Sequence, residues 1–169
     1  MKNRMGYLQE LCNKYGSFKV TRTFKNEKGE IIWTKHQDVL TLWHSGYGLR
    51  YLSGVNHRQI LPNELILDLD EVGTIKNVKR IVFSLKQRGI GNKREVYQTH
   101  SNGYHIHVWD NSWGLMSKHQ REQMRERLIY QYDCDLMKKS DKCMIAIENV
   151  EHFKSGKIKR LLKEEEYKW

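Results

Sequence analysis

From Glu64 to Glu71 the chain reads Glu-Leu-Ile-Leu-Asp-Leu-Asp-Glu, and no other segment constrains the fold as strongly. Successive side chains of a strand point to opposite faces, so Leu65, Leu67 and Leu69 share one face and Ile66, Asp68 and Asp70 share the other. The leucine face needs an apolar cover. The next segment supplies one, because Val78, Ile81, Val82 and Leu85 recur at helical spacing. This predicts an amphipathic helix over 74–87, ended by Gly89 and Gly91.

The rest of the chain extends the same pattern. Residues 94–100 and 103–110 read as two strands joined by the turn Ser101-Asn102-Gly103. Ser117 opens a second helix, in which Met124, Leu128 and Ile129 stand among many charges. CMIAIENV is a further strand, and HFKSGK is a turn leading into IKRLL. Upstream, Asn3 caps a helix running to about Gly16, and FKVTRTF, NEKGE and IIWTK form a hairpin. Residues 37–56 carry no clear period. Neighbouring strands with two helices make an α+β chain, mainly an antiparallel sheet with helices on one face and the other face open for substrate.

The 169 residues suit a single domain, 1–169, with its motif-bearing core at about 64–162. Lys and Arg number 30 against 20 Asp and Glu, a formal charge of +10 that favours a polyanionic partner. Cys12, Cys134 and Cys143 are odd in number and none has CxxC spacing, which argues against a disulfide framework or a zinc knuckle. They are expected as small buried hydrophobes in a reducing compartment. The start lacks a secretory apolar core, and no apolar run approaches membrane-spanning length. The expected location is the cytoplasm, with no membrane partner.

Three groups of residues carry candidate chemistry. Asp68 and Asp70 stand one pleat apart on an apolar strand, where two carboxylates repel unless a cation joins them. Hard oxygen ligands suit Mg2+ or Mn2+. A third carboxylate would complete a two-metal site, and Asp133, Asp135, Asp141 and Glu148 are all in range. His105 and His107 share one strand face, beside a turn whose N–H groups can meet an anion. The segment from His152 to Lys159 packs one histidine, three lysines, a serine and a glycine into eight residues, a composition fit for phosphate.

In order and spacing, these segments resemble the archaeo-eukaryotic primase superfamily, nearest the small catalytic subunit of archaeal and eukaryotic primases. LILDLDE looks like that family's DxD strand, SNGYHIHVW like its turn leading to a histidine, and VEHFKSGKIKRLL like its late histidine-lysine-glycine segment. The resemblance implies an RRM-like primase-polymerase core and a nucleotidyltransferase that joins nucleoside triphosphates on a single-stranded DNA template by a two-metal mechanism. It places the catalytic metals, Mg2+ or Mn2+, on Asp68, Asp70 and Asp135, with Asp133 as the alternative third ligand. It implies nucleotide binding by Ser101, His105, His152, Lys154, Lys157 and Arg22, and an accessory primase or helicase subunit as a further partner.

Two other readings compete. His105-Ile106-His107 is a His-hydrophobe-His sequence followed by Tyr130 and Tyr132 on a helix. That is the pattern of an HUH-type replication-initiator nuclease, whose tyrosine attacks the DNA backbone. A non-catalytic nucleic-acid-binding module is the other, although acidic pairs repel phosphate unless a metal intervenes.

Overall fold

The computed structural model describes residues 4–46, 48–69, 74–99, 101–148, 150–152 and 155–169. In chain order its elements are α1 (Arg4–Tyr15), β1 (Lys19–Thr21), β2 (Thr23–Lys25), β3 (Ile31–Trp33), β4 (Gln37–Asp38), α2 (Val39–Trp43), α3 (Gly48–Leu52), β5 (His57–Gln59), β6 (Glu64–Leu69), α4 (Ile75–Gln87), β7 (Lys93–Gln98), β8 (Tyr104–Trp109), α5 (Lys118–Gln131), β9 (Met144–Ala146), β10 (Arg160–Leu161) and α6 (Glu164–Tyr167). Short 3-10 turns cover Asn111–Leu115 and Leu136–Lys139. The chain is α+β with antiparallel sheets, as the sequence indicates. It forms two compact units, Met1–Gln59 with Met144–Ile158, and Ile60–Cys143 with Lys159–Trp169.

The second unit runs β6-α4-β7-β8-α5-β10-α6, and its sheet has the order β10-β7-β8-β6. Both β6 and β7 pair antiparallel with β8, so they run parallel to each other with α4 as the crossover, a split β-α-β unit. Leu65, Leu67 and Leu69 meet Val78, Ile81, Val82 and Leu85 in one core, joined by Met124, Leu128 and Ile129 of α5. The expected helical and strand periods are therefore the ones that fold.

Local chemistry sets the ends. Thr74 caps α4 by accepting the Asn77 N–H at 3.2 Å, and Ser117 forms a capping box with Gln120 on α5. Gly91, at φ +80°, could not carry a side chain, since a Cβ would lie 2.4 Å from Val108 Cγ1.

One expectation for this unit needs correction. The sheet face opposite the helices is not open: Glu64, Ile66, Asp68, His105, His107 and Lys159 on that side are all buried. Their acids, imidazoles and lysines pair with one another, which is what lets ionisable groups leave water. On α5, Arg121 and Arg125 are buried as well.

The first unit holds the sheet β4-β1-β5-β9 and the separate ribbon β2-β3. The predicted hairpin exists, with Thr23 opposite Trp33, but its first three strand residues, Lys19–Thr21, pair with β4 and β5 instead. The strand predicted over 143–150 is shorter and lies beside β5 in this sheet. The predicted basic turn is closed by a bridge between Glu151 and Ile158. Cys12, Cys134 and Cys143 are free thiols, half-buried rather than buried. Among the described residues, no helix is long and apolar enough to cross a membrane.

Candidate active site

Register builds the site. On β6 and β8, Asp68 lies directly opposite His105 and Ile66 opposite His107. On β7 and β8, Tyr97 lies opposite His105 and Glu95 opposite His107. Directly opposed side chains share a face, so one patch collects Glu64, Asp68, His105, His107, Glu95 and Tyr97.

The first part of the patch is Asp68 with His105. His105 Nε2 lies 3.3 Å from Asp68 Oδ2, and Lys138 Nζ lies 3.6 Å from the same oxygen. Burial pushes Asp68 up, but the bond and charge of His105, with Lys138 and Lys159, outweigh it and hold the carboxyl down at about 2. Burial and then the charge of Lys159 pull His105 down to about 4, against the raising effect of Asp68. Near neutral pH the pair is therefore a carboxylate beside a neutral imidazole.

The second part is a buried chain of three residues. Glu64 Oε2 lies 3.0 Å from His107 Nδ1, and Lys159 Nζ lies 3.0 Å from His107 Nε2. An ammonium can only donate, so Nε2 accepts and Nδ1 carries the proton toward Glu64. Tyr97 packs its ring 4.8 Å from that of His107 and lies 5.1 Å from Lys159 Nζ. Its hydroxyl donates to Glu95 at 2.5 Å.

The segment after α5 reaches the same strand. The Asp135 N–H donates to the Asp68 carbonyl at 3.2 Å. The Asp135 carboxylate is exposed and accepts the Met137 N–H at 2.9 Å, capping its own 3-10 turn. Asp133 is exposed too, at φ +55° where α5 ends. Burial, then the charges of Asp68, Asp133 and Asp135, push the Cys134 thiol up to about 12. Three carboxylates thus act on one sulfur, and the thiol is no nucleophile.

A buried clamp fixes this segment. Arg125 donates from Nε to the Glu64 carbonyl at 3.1 Å, from Nη2 to Leu61 at 2.9 Å and from Nη1 to Lys139 at 3.3 Å. Arg125 also pairs with Asp141, which Arg121 binds through two nitrogens at 3.0 and 2.7 Å. Asp141 is therefore a structural anchor and not the third ligand. Glu148 belongs to the first unit, where it pairs with Arg58 at 3.3 Å and with Tyr7.

The remaining predicted residues divide as follows. Asp70 and Lys154 lie outside the described residues. Ser101 is exposed in the β7–β8 turn, with its hydroxyl 3.2 Å from that of Thr99. Arg22, His152 and Lys157 belong to the first unit. There the Arg22 N–H donates to Thr34 Oγ1 at 3.0 Å, and the His152 N–H donates to the Lys157 carbonyl at 2.9 Å. Tyr130 is largely exposed, whereas the Tyr132 hydroxyl meets Ser84 at 2.9 Å and Arg88 at 2.8 Å.

Sequence reasoning missed Glu64 and Lys138, and counted Lys159 only as one lysine of a phosphate-fit segment. Alternation alone places Glu64 on the face of Asp68, so that signal was available. Lys138 and Lys159 sit in basic stretches that give no sign of which lysine turns inward.

A divalent cation fits one feature of this patch. Asp68 Oδ1 is buried, and among the described residues nothing donates a hydrogen bond to it. A buried carboxylate oxygen of this kind is satisfied by a cation. Among the described residues no three His, Cys, Asp or Glu side chains converge as a complete ligand set. Compared with known proteins, the chain matches no family model and no curated sequence.

Proposed function

We propose that this chain is a template-directed nucleotidyltransferase, a primase-polymerase that joins nucleoside triphosphates along single-stranded DNA. The observation that carries the reading is the direct pairing of Asp68 on β6 with His105 on β8, with the main chain of Asp135 bonded to Asp68. Asp68, Asp70 and Asp135 would hold Mg2+ or Mn2+, which when bound supplies Lewis-acid activation of the 3′-hydroxyl and screening of the triphosphate.

The chain's own groups divide the remaining work. The same reading sets His105 beside the phosphates, where, kept neutral by burial, it adds no charge of its own. Lys159 holds His107 in one tautomer and adds a fixed positive charge beside Asp68 and His105. The same reading assigns Ser101, Arg22, His152, Lys154 and Lys157 to phosphate recognition. The excess of basic residues would hold the template backbone, making binding steeply salt-dependent. Trp33, Trp109 and Trp113 are candidates for base stacking; Trp109 and Trp113 are buried and Trp33 is half exposed.

The two-histidine nuclease reading draws no support from His107, whose ring nitrogens both face partners at 3.0 Å. One assay separates the readings: labelled nucleotides, single-stranded DNA with and without a primer, and Mn2+ or Mg2+. Incorporation by the wild type and its loss in Asp68→Asn is the expected result. A covalent DNA adduct lost in Tyr130→Phe or Tyr132→Phe, with no incorporation, would replace the polymerase by the nuclease. DNA binding alone would leave the non-catalytic module.

A further inference from the structure

We propose that Lys138 is the resident cation of the Asp68 carboxylate, a built-in competitor that a divalent metal must displace. The proposal rests on the metal-dependent reading of Asp68 and adds a residue that the sequence did not single out. Two nitrogens crowd one carboxylate oxygen, with His105 Nε2 3.3 Å and Lys138 Nζ 3.6 Å from Asp68 Oδ2. Asp68 Oδ1 is the oxygen left buried without a donor among the described residues.

The backbone beneath Lys138 is tied at both ends. The turn Leu136–Lys139 is tied at one end by the Asp135 N–H on the Asp68 carbonyl, and at the other by Arg125 on the Lys139 carbonyl. Lys138 itself spans the gap with a flexible four-carbon stem and is 17% exposed, against 5% for Asp68. At 3.6 Å the contact is longer than a tight charge-assisted bond, which is about 2.7–2.9 Å. An ammonium so held can swing toward solvent without unfolding the turn. A metal on Asp68 would repel it, so metal entry and lysine departure are coupled, and the seated lysine weakens apparent metal affinity.

The test titrates metal-free, folded full chain with Mn2+ and reads free metal by electron paramagnetic resonance, alongside the thermal midpoint. Lys138→Met keeps the stem and removes the charge. It should tighten Mn2+ binding by about tenfold, a part of the unit-charge effect expected at this distance near a protein surface. Lys138→Arg should stay near the wild type. In EDTA the Met variant should melt lower than the wild type, and Mn2+ should raise its midpoint more. Equal Mn2+ affinity in wild type and Lys138→Met, or weaker affinity in the variant, overturns the role of the lysine alone. Absence of Mn2+ binding in both folded proteins overturns the metal site and the competitor together.

Discussion

Asp68 and His105 face each other across β6 and β8 at 3.3 Å, and the charge of the pair rests on the carboxylate alone. An isolated pair of this kind would keep the proton on the imidazole, whose ordinary value of 6.5 lies well above the 3.8 of the carboxyl. Here burial and then the charge of Lys159 strip it from the imidazole.

That relationship fixes the pH dependence of stability in the metal-free protein. His105 ionises at about 4 in the folded chain and at 6.5 when free. Between those values the unfolded chain binds a proton that the folded chain refuses, so stability is full above the upper value and falls as pH drops through the lower one. Asp68 acts in the same direction lower down, from 3.8 to about 2. Thermal midpoints measured with EDTA across this range should decline in two stages. His105→Gln should remove the first stage and keep the second. A midpoint flat from neutrality to mild acid would contradict the environment described for His105.

Asp141 should matter for stability more than its partial exposure implies. Burial raises its carboxyl, but the hydrogen bonds of Arg121 and Arg125 overcome this and hold it below its ordinary 3.8. Arg125 is fully buried, so Asp141→Asn strands a charge. Breaking a buried pair of this kind costs about 3–5 kcal/mol, and urea unfolding should show a loss of that order. Its contribution is present above the ordinary carboxylate value and is lost as pH falls below it.

The chain Glu64–His107–Lys159 should behave as a unit. Lys159→Met removes the cation from a site where the lysine is 2% exposed and Glu64 is fully buried. The loss should again be about 3–5 kcal/mol, with a smaller added cost when Glu64→Gln is combined with it. Additive losses in the double-mutant cycle would mean the two ends are not coupled through His107.

Trp33, 51% exposed and packed 4.8 Å from the His57 ring, is an aromatic available to an unstacked base. Trp33→Ala should weaken single-stranded DNA binding by about 1–3 kcal/mol with the fold retained. Fluorescence anisotropy on labelled oligonucleotides at fixed salt measures this. An unchanged Kd would remove Trp33 from the template contacts.

The parts of the fold written in local periods were legible in the sequence. Leu65, Leu67 and Leu69 alternate with Asp68, and Val78, Ile81, Val82 and Leu85 repeat every three or four residues, so strand, helix and the face of Asp68 could all be read. Thr74 and Ser117 marked their helix starts by the chemistry of caps. The parts set by distant neighbours could not be read. His57–Gln59 has three polar residues and no strand pattern, yet it pairs with β1 and β9. CMIAIENV reads as a strand, but nothing in it names β5 as its partner. Arg121 and Arg125 lie four apart in a run of charges and look solvated, and only Asp141, Glu64 and Leu61 reveal why they are buried. The exposure of the polar sheet face was misjudged because sequence shows the acids and imidazoles without showing that they pair.

The most direct test of the site is Mn2+ titration followed by side-chain NMR of the histidines, since paramagnetic broadening reports distance from the metal. In the wild type, His105 signals should broaden first and His107 signals next, while those of His119, at the start of α5, persist. Asp68→Asn should abolish the broadening at His105 without unfolding the chain. Broadening that spares His105, or that is unchanged in Asp68→Asn, would contradict a metal site on Asp68.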